Sequence, residues 1–217
     1  VVNVTREFSY KKVDKGLTEK GILQAEQTAD YFRDLQKETP IHALYSSPLK
    51  RAAETAAIIG DAVGLEPVIM ENFREVNVGD MEDLPPTPEN WQIFIDIIQE
   101  WAAGNPAKRF PGGEDYHTLA DRMLSGVAEV MNGHDGENII IVAHGGIMSF
   151  ALHDLCPGLD PAVLYAAPAH NCSVGEVLAA MQDGRPIGEL VRWADAGHLH
   201  GEAAEFEFGV AGDFFDE

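Results

Sequence analysis

The stretch Ile139-Ile140-Ile141-Val142-Ala143-His144-Gly145-Gly146 runs an apolar segment into a histidine and two glycines. An apolar run of this length reads as a strand buried on both faces of a parallel sheet. Ligands in α/β proteins sit at the carboxyl ends of such strands, which is where His144 would arrive. Gly145 and Gly146 let backbone N–H groups at the start of a following helix approach an anion closely. A second stretch, Tyr45-Ser46-Ser47-Pro48-Leu49-Lys50-Arg51, has the same strand-to-helix form and puts Arg51 in the first helical turn. A guanidinium there suits a bidentate grip on a phosphoryl group. Glu75, in Phe73-Arg74-Glu75-Val76-Asn77-Val78-Gly79, lies in a loop able to fold over the same edge. A carboxyl at that place could protonate a leaving alkoxide. Each feature alone also has a plain structural reading: a strand-end histidine, a surface arginine, and one acid among 36.

The elements that must position these residues follow from hydrophobic periodicity. Thr18 caps a helix that runs to about residue 36, with Ile22, Ala25, Ala29 and Phe32 on one face. Residues 41–46 form a strand, Pro48 opens a helix to about residue 63, and 67–70 read as another strand. A Pro- and acid-rich loop over 71–87 precedes a helix over 89–103. The Pro111-Gly112-Gly113 turn leads into a helix over 114–131, then a strand over 138–143 and a helix to about residue 155. Strands over 174–181 and 187–193, joined by Gln182-Asp183-Gly184-Arg185-Pro186, read as a hairpin. The expected fold is α/β in three layers, a mainly parallel central sheet with helices on both faces. One domain is expected over residues 1–217, with 83–110 as a cap and 197–217 as an acidic, mobile tail.

Composition narrows the function classes. The chain has 217 residues and a formal net charge of −21, which disfavours nucleic acid and anionic membranes as partners. No apolar run reaches the length of a membrane span and the first residues do not read as a signal peptide. Two cysteines, Cys156 and Cys172, are too few for a disulfide framework, so a cytoplasmic location is expected. Arg6, Lys11, Lys12, Lys15 and Lys20 crowd into the first twenty residues, a candidate anion-facing segment in an acidic protein.

Taken together, these motifs resemble the histidine phosphatase (phosphoglycerate-mutase-like) superfamily. Gly16-Leu17-Thr18-Glu19-Lys20-Gly21 with Gln24-Ala25 is similar to the family's helix start, and residues 45–55 to its "YSSPLKRAxxTA" segment. Residues 74–79 are similar to its acid loop, 111–114 to its "PGGES" turn and 142–146 to its "VxHGG" strand end. The order and spacing agree from Leu17 to about Trp193. The resemblance implies a histidine that attacks the phosphoryl group and forms a phosphohistidine. It further implies Arg51 and Asn3 as phosphate ligands with Gly145, His144 as the second pocket histidine and Glu75 as general acid. Phosphoryl transfer of this kind is positioning and charge stabilisation, and no metal or other cofactor is expected. The implied partner is a small phosphorylated metabolite, and a homodimer is compatible with the sequence.

The match breaks at its start. The family's nucleophile stands in an Arg-His-Gly motif on a central strand, and residues 1–16 contain none. Asn3 fits the asparagine that follows that motif, so the nucleophile is expected upstream of Val1, with residues 1–4 the one apolar run able to stand in for the strand. Without that strand two apolar edges would be left open. A non-catalytic phosphate-binding protein and a phosphoglycerate-type mutase are the alternatives to a phosphatase. Met81-Glu82-Asp83 replaces the family's usual Trp-Glu-Gly, which bears on substrate preference. His198-Leu199-His200, with Asp195 and Glu202, is a weak metal candidate because the ligand count falls short. His170 is expected in the loop before a strand, near the pocket, and His42 and His117 at the surface. Neither cysteine has an arginine six residues on, so a cysteine-phosphatase loop is absent.

Overall fold

The computed structural model describes residues 2–160, 164 and 169–205. Helix α1 (Val2–Thr5) is followed by α2 (Glu19–Leu35), β1 (Ile41–Ser46), α3 (Lys50–Val63) and β2 (Val68–Ile69). Then come α4 (Pro88–Ala102), α5 (Tyr116–Met131), β3 (Asn138–Val142), α6 (Gly145–Leu155), β4 (Val174–Gln182) and β5 (Arg185–Asp195). The helix starts have visible causes: Thr18, Thr87 and Asp115 each accept a hydrogen bond from the N–H three residues on. Helix α3 starts two residues after Pro48, because Leu49 is still extended at its N-cap.

Strands β2, β1 and β3 form a parallel sheet in that order, with Tyr45 opposite Val68 and Ile141. Period-two alternation sends side chains to both faces. Leu44 and Ile140 join Ala29 of α2 and Ile59 of α3 on one side. Tyr45 and Ile141 face the larger cluster built from α4, α5 and α6, with Leu119, Met123, Ile147 and Ala151 at its centre. The expected three-layer α/β architecture, a parallel sheet between helices, is what the chain forms. Strands β4 and β5 make an antiparallel hairpin around Asp183-Gly184, both at positive φ as a two-residue hairpin turn demands.

Three expectations need correction. Of residues 1–4, Val1 lies outside the described residues and the others supply no strand: Val2–Thr5 is one helical turn, ended by Arg6 at φ 56° and tethered by Asn3. Strand β3 has helices over both faces but is less buried than expected: only Ile140 is buried, because β1 covers one edge and no described strand pairs with the other. The segment after Gly197 is not loose up to Glu205: Leu199 and Ala203 are buried, the Gln24 amide donates to the Ala203 carbonyl (3.0 Å), and the His200 N–H donates to Gln27 (2.8 Å). The rest of that tail, 206–217, lies outside the described residues.

Helix α4, within the expected cap, buries Trp91, Ile97 and Trp101. The Trp91 ring lies 4.2 Å from that of Phe8, and its Nε1 donates to the Arg6 carbonyl (3.1 Å). Among the described residues no helix is long and apolar enough to cross a membrane.

Gly79 opens a 3-10 turn (Gly79–Asp83) at φ 57°, and a Cβ there would sit 2.2 Å from the Pro111 carbonyl oxygen. Gly79→Ala therefore combines a left-handed backbone with a clash against main chain. It should destabilise the protein by about 2–4 kcal/mol, read as a lower urea midpoint at constant m-value. An unchanged midpoint would mean the turn can re-form without positive φ.

Candidate active site

Strands β1 and β3 are neighbours and end side by side, so the residues that follow them meet. The Ser47 N–H donates to the Val142 carbonyl (2.9 Å), carrying the ladder one step past both strand ends. His144 is the N-cap of α6, and its Nε2 lies 2.7 Å from the Ser47 hydroxyl. Ser46 and Ser47 are wholly buried and His144 nearly so. Burial first, and then the positive charges of Arg51, Arg122 and Arg74, hold the His144 imidazole well below its usual pKa. It is neutral at pH 7, with one ring nitrogen able to donate and the other to accept.

Arg51 stands in the first turn of α3. Its Nη1 donates to the Ser9 hydroxyl (2.7 Å), and Ser9 in turn donates to the Val13 carbonyl (2.5 Å). Burial lowers the Arg51 pKa while Glu75 and Asp14 oppose the shift, and an arginine so placed stays charged. The Asp14 carboxylate also accepts the Lys50 N–H (2.8 Å), which ties the basic N-terminal segment to the start of α3.

Glu75 reaches the start of α6. Its carboxylate accepts from the N–H groups of Gly146 (3.1 Å) and Ile147 (2.8 Å), and from that of Val76 (2.9 Å). The helix N-terminus expected to receive an anion thus holds one, the chain's own carboxylate. The engaged donors lie one and two residues beyond Gly145. A Cβ on Gly146 would sit 2.5 Å from Glu75 Oε1, so only glycine permits this approach.

The acid loop is also tied to the basic segment. The Glu82 carboxylate accepts from the backbone N–H groups of Tyr10 (2.5 Å), Lys11 (2.7 Å), Lys12 (3.2 Å) and Val13 (3.4 Å). Arg74 donates to the Tyr10 carbonyl (2.7 Å) and lies 5.6 Å above the Tyr10 ring. Lys12 pairs with Asp83 at the surface. Among the expected site residues, His144, Arg51 and Glu75 converge electrostatically. Asn3 instead donates to the Asn171 side chain (2.7 Å), in the loop before β4 where His170 also lies. His42 accepts the Asn138 N–H (3.2 Å) and His117 is exposed.

Ser47, Ser9, Arg122 and Glu114 were not foreseen as site residues. Ser47 lies inside a motif and could have been found by its place before Pro48. Arg122 and Glu114 have no short-range signal, since their partners lie about fifty and forty residues away in the chain. Among the described residues no group of three or more His, Cys, Asp or Glu side chains could hold a metal. His198 lies 3.0 Å from the Thr28 hydroxyl and leans on the Tyr31 ring.

A buried neutral histidine, a partly buried guanidinium and a carboxylate at a helix start gather at the carboxyl edge of a parallel α/β sheet. Residues 3–195 match the family model described as the histidine phosphatase superfamily (branch 1). The phosphoglycerate mutase-like protein 4 of Arabidopsis thaliana is 32% identical over 203 residues, 93% of this chain and 83% of its own. The metal-independent phosphoserine phosphatase of the same plant is 28% identical over 201 residues, covering 87% of this chain and 74% of its own. Among solved structures, the mycobacterial glucosyl-3-phosphoglycerate phosphatase superposes with a TM-score of 0.70 at 26% identity, over 90% of this chain and 94% of the other. The chain belongs to the histidine phosphatase superfamily.

Proposed function

We propose that the protein is a phosphatase that hydrolyses a small phosphomonoester through a phosphohistidine, the nucleophilic histidine standing on a strand ahead of Val1. The observation that carries this reading is the buried His144 and the partly buried Arg51 brought close where β1 and β3 end, with Glu75 at the α6 N-terminus. Arg51 grips two phosphoryl oxygens and the neutral His144 donates to a third, which spreads the charge of the transferring group. Glu75 protonates the leaving oxygen and Gly145 leaves room for the phosphate beside α6. Asn3, on the N-terminal turn, lines the far side. The whole chain acts as one domain, with residues 83–110 covering the site. The unpaired edge of β3 among the described residues supports a further strand beside it.

The relatives' names point to phosphoserine and glucosyl-3-phosphoglycerate for those proteins. A compact phosphorylated metabolite of that size is the substrate class proposed for this one. The test is to expose the polypeptide purified from its native source to a labelled phosphate ester and quench it. An acid-labile, alkali-stable phosphoenzyme together with released phosphate supports the reading. Phosphate or vanadate binding with neither would leave a binding protein, and phosphate moved within the substrate would make it a mutase.

Gly146→Ala bears on the same reading, because the added methyl group meets Glu75 Oε1 at 2.5 Å and must push the carboxylate away. Turnover of an alkyl phosphate should fall about 100-fold, the usual worth of a positioned acid, with the melting temperature little changed. Full turnover would show that the carboxylate's present place is not needed.

A further inference from the structure

The loop that presents Glu75 is held from behind by one side chain. Arg122, in the second turn of α5, donates from Nη1 to the carbonyls of Asn72 (2.7 Å) and Arg74 (2.8 Å), and from Nη2 to that of Glu75 (3.2 Å). The same guanidinium reaches Glu114 from Nη2 (2.8 Å) and Nε (3.3 Å). Glu114, whose side chain is 4% exposed, in turn accepts the Asn77 N–H (2.7 Å). Asn72 returns a bond from its side chain to the Arg122 carbonyl (3.2 Å). Carbonyls at 72, 74 and 75 and the N–H at 77 are therefore all fastened to one buried ion pair. Helix α5 also comes close to the loop, since a Cβ on Gly126 would sit 2.6 Å from the Asn72 Cβ. Backbone tied to α5 fixes the point from which the Glu75 carboxyl reaches toward α6.

We infer that Arg122, supported by Glu114, is a positioning residue that sets how far the Glu75 carboxyl extends toward the leaving oxygen. This rests on the proposed role of Glu75 as proton donor. In that step the P–O bond breaks, its electron pair goes to the leaving oxygen, and that oxygen takes the proton from Glu75. An alkoxide needs the proton. A nitrophenolate is stable enough to leave without it. A change that only moves Glu75 must therefore slow alkyl esters and spare aryl esters, whereas general damage to the fold slows both.

The experiment compares kcat for glycerol 2-phosphate and 4-nitrophenyl phosphate in the native polypeptide and in Glu75→Gln, Arg122→Gln, Arg122→Lys and Glu114→Gln. Glu75→Gln and Arg122→Gln should each raise the aryl-to-alkyl ratio by about 100-fold. Arg122→Lys should raise it less, because an ammonium meets one or two of the carbonyls but lacks the fork. If Arg122→Gln lowers both esters alike while Glu75→Gln shifts the ratio, Arg122 is a structural residue and the inference is wrong. If Glu75→Gln leaves the ratio unchanged, the proton-donor reading itself fails, and the two failures are told apart by that variant. Should Arg122→Gln not fold, Arg122→Lys and Glu114→Gln carry the comparison, and native ratios in both overturn the inference. No turnover of either ester by the unaltered polypeptide removes both readings together.

Discussion

Arg51→Ala lowers kcat/KM of the native polypeptide for 4-nitrophenyl phosphate by about 1,000-fold, while the circular dichroism spectrum and melting temperature stay near those of the parent. The size follows from what is lost: a fixed charge on the phosphoryl group, where one preorganised donor is worth about 10²–10³ and an arginine up to about 10⁵. The fold survives because, among the described residues, the Arg51 side chain is held by the Ser9 hydroxyl alone, and Arg51 ends no helix or strand. Arg51→Lys should recover less than a tenth of the lost rate, since an ammonium cannot grip two oxygens in one plane. Ser9→Ala, which frees the guanidinium to swing, should cost far less than Arg51→Ala. Turnover of Arg51→Ala within threefold of the parent would exclude Arg51 from the chemistry.

The second large effect is on stability. His144 is held well below its ordinary pKa of 6.5 by burial and by Arg51, Arg122 and Arg74. The unfolded chain therefore binds a proton near pH 6.5 that the folded chain refuses. Its contribution is fully present above that pH and is lost as pH falls toward the folded-state value. The slope approaches about 1.4 kcal/mol per pH unit for one proton. His198, lowered chiefly by burial, adds a limb of the same sign. Carboxylates held low by their partners, such as Asp115 and Glu7, act only in a more acidic window. Urea midpoints between pH 7 and pH 5 should fall steeply for the parent and less steeply for His144→Asn, with His198→Asn taking up much of the remainder. Parallel curves for parent and His144→Asn would show that His144 titrates normally.

Much of this was legible from local chemistry. Thr18 and the periodic residues behind it marked α2, and the tail of an apolar run marked His144 at a sheet edge. The convergence of His144 and Arg51 was legible because parallel neighbours end on the same side, so a strand-end motif and a strand-to-helix motif share an edge. What escaped notice depended on contacts made across the fold. Arg122 is an ordinary helix arginine until its carbonyl partners at 72, 74 and 75 are brought beside it. The contact of the Asn3 amide with Asn171 had no local signal, since the two lie at opposite ends of the chain. The acid-rich tail looked unattached because its docking depends on two backbone bonds to glutamines of α2 that no pattern in the tail announces. The apolar composition of β3 suggested a fully buried strand, but composition states what a strand can bury and not which neighbours arrive along its edges.

The N–H groups of Gly146 and Ile147 already have a tenant in Glu75. Any phosphate that settles against them must evict that carboxylate first, so its apparent affinity is discounted by the free energy of the exchange. A discount of that kind weighs on product as heavily as on substrate. A site that takes its own side chain back when the guest departs resists being clogged by the inorganic phosphate it releases.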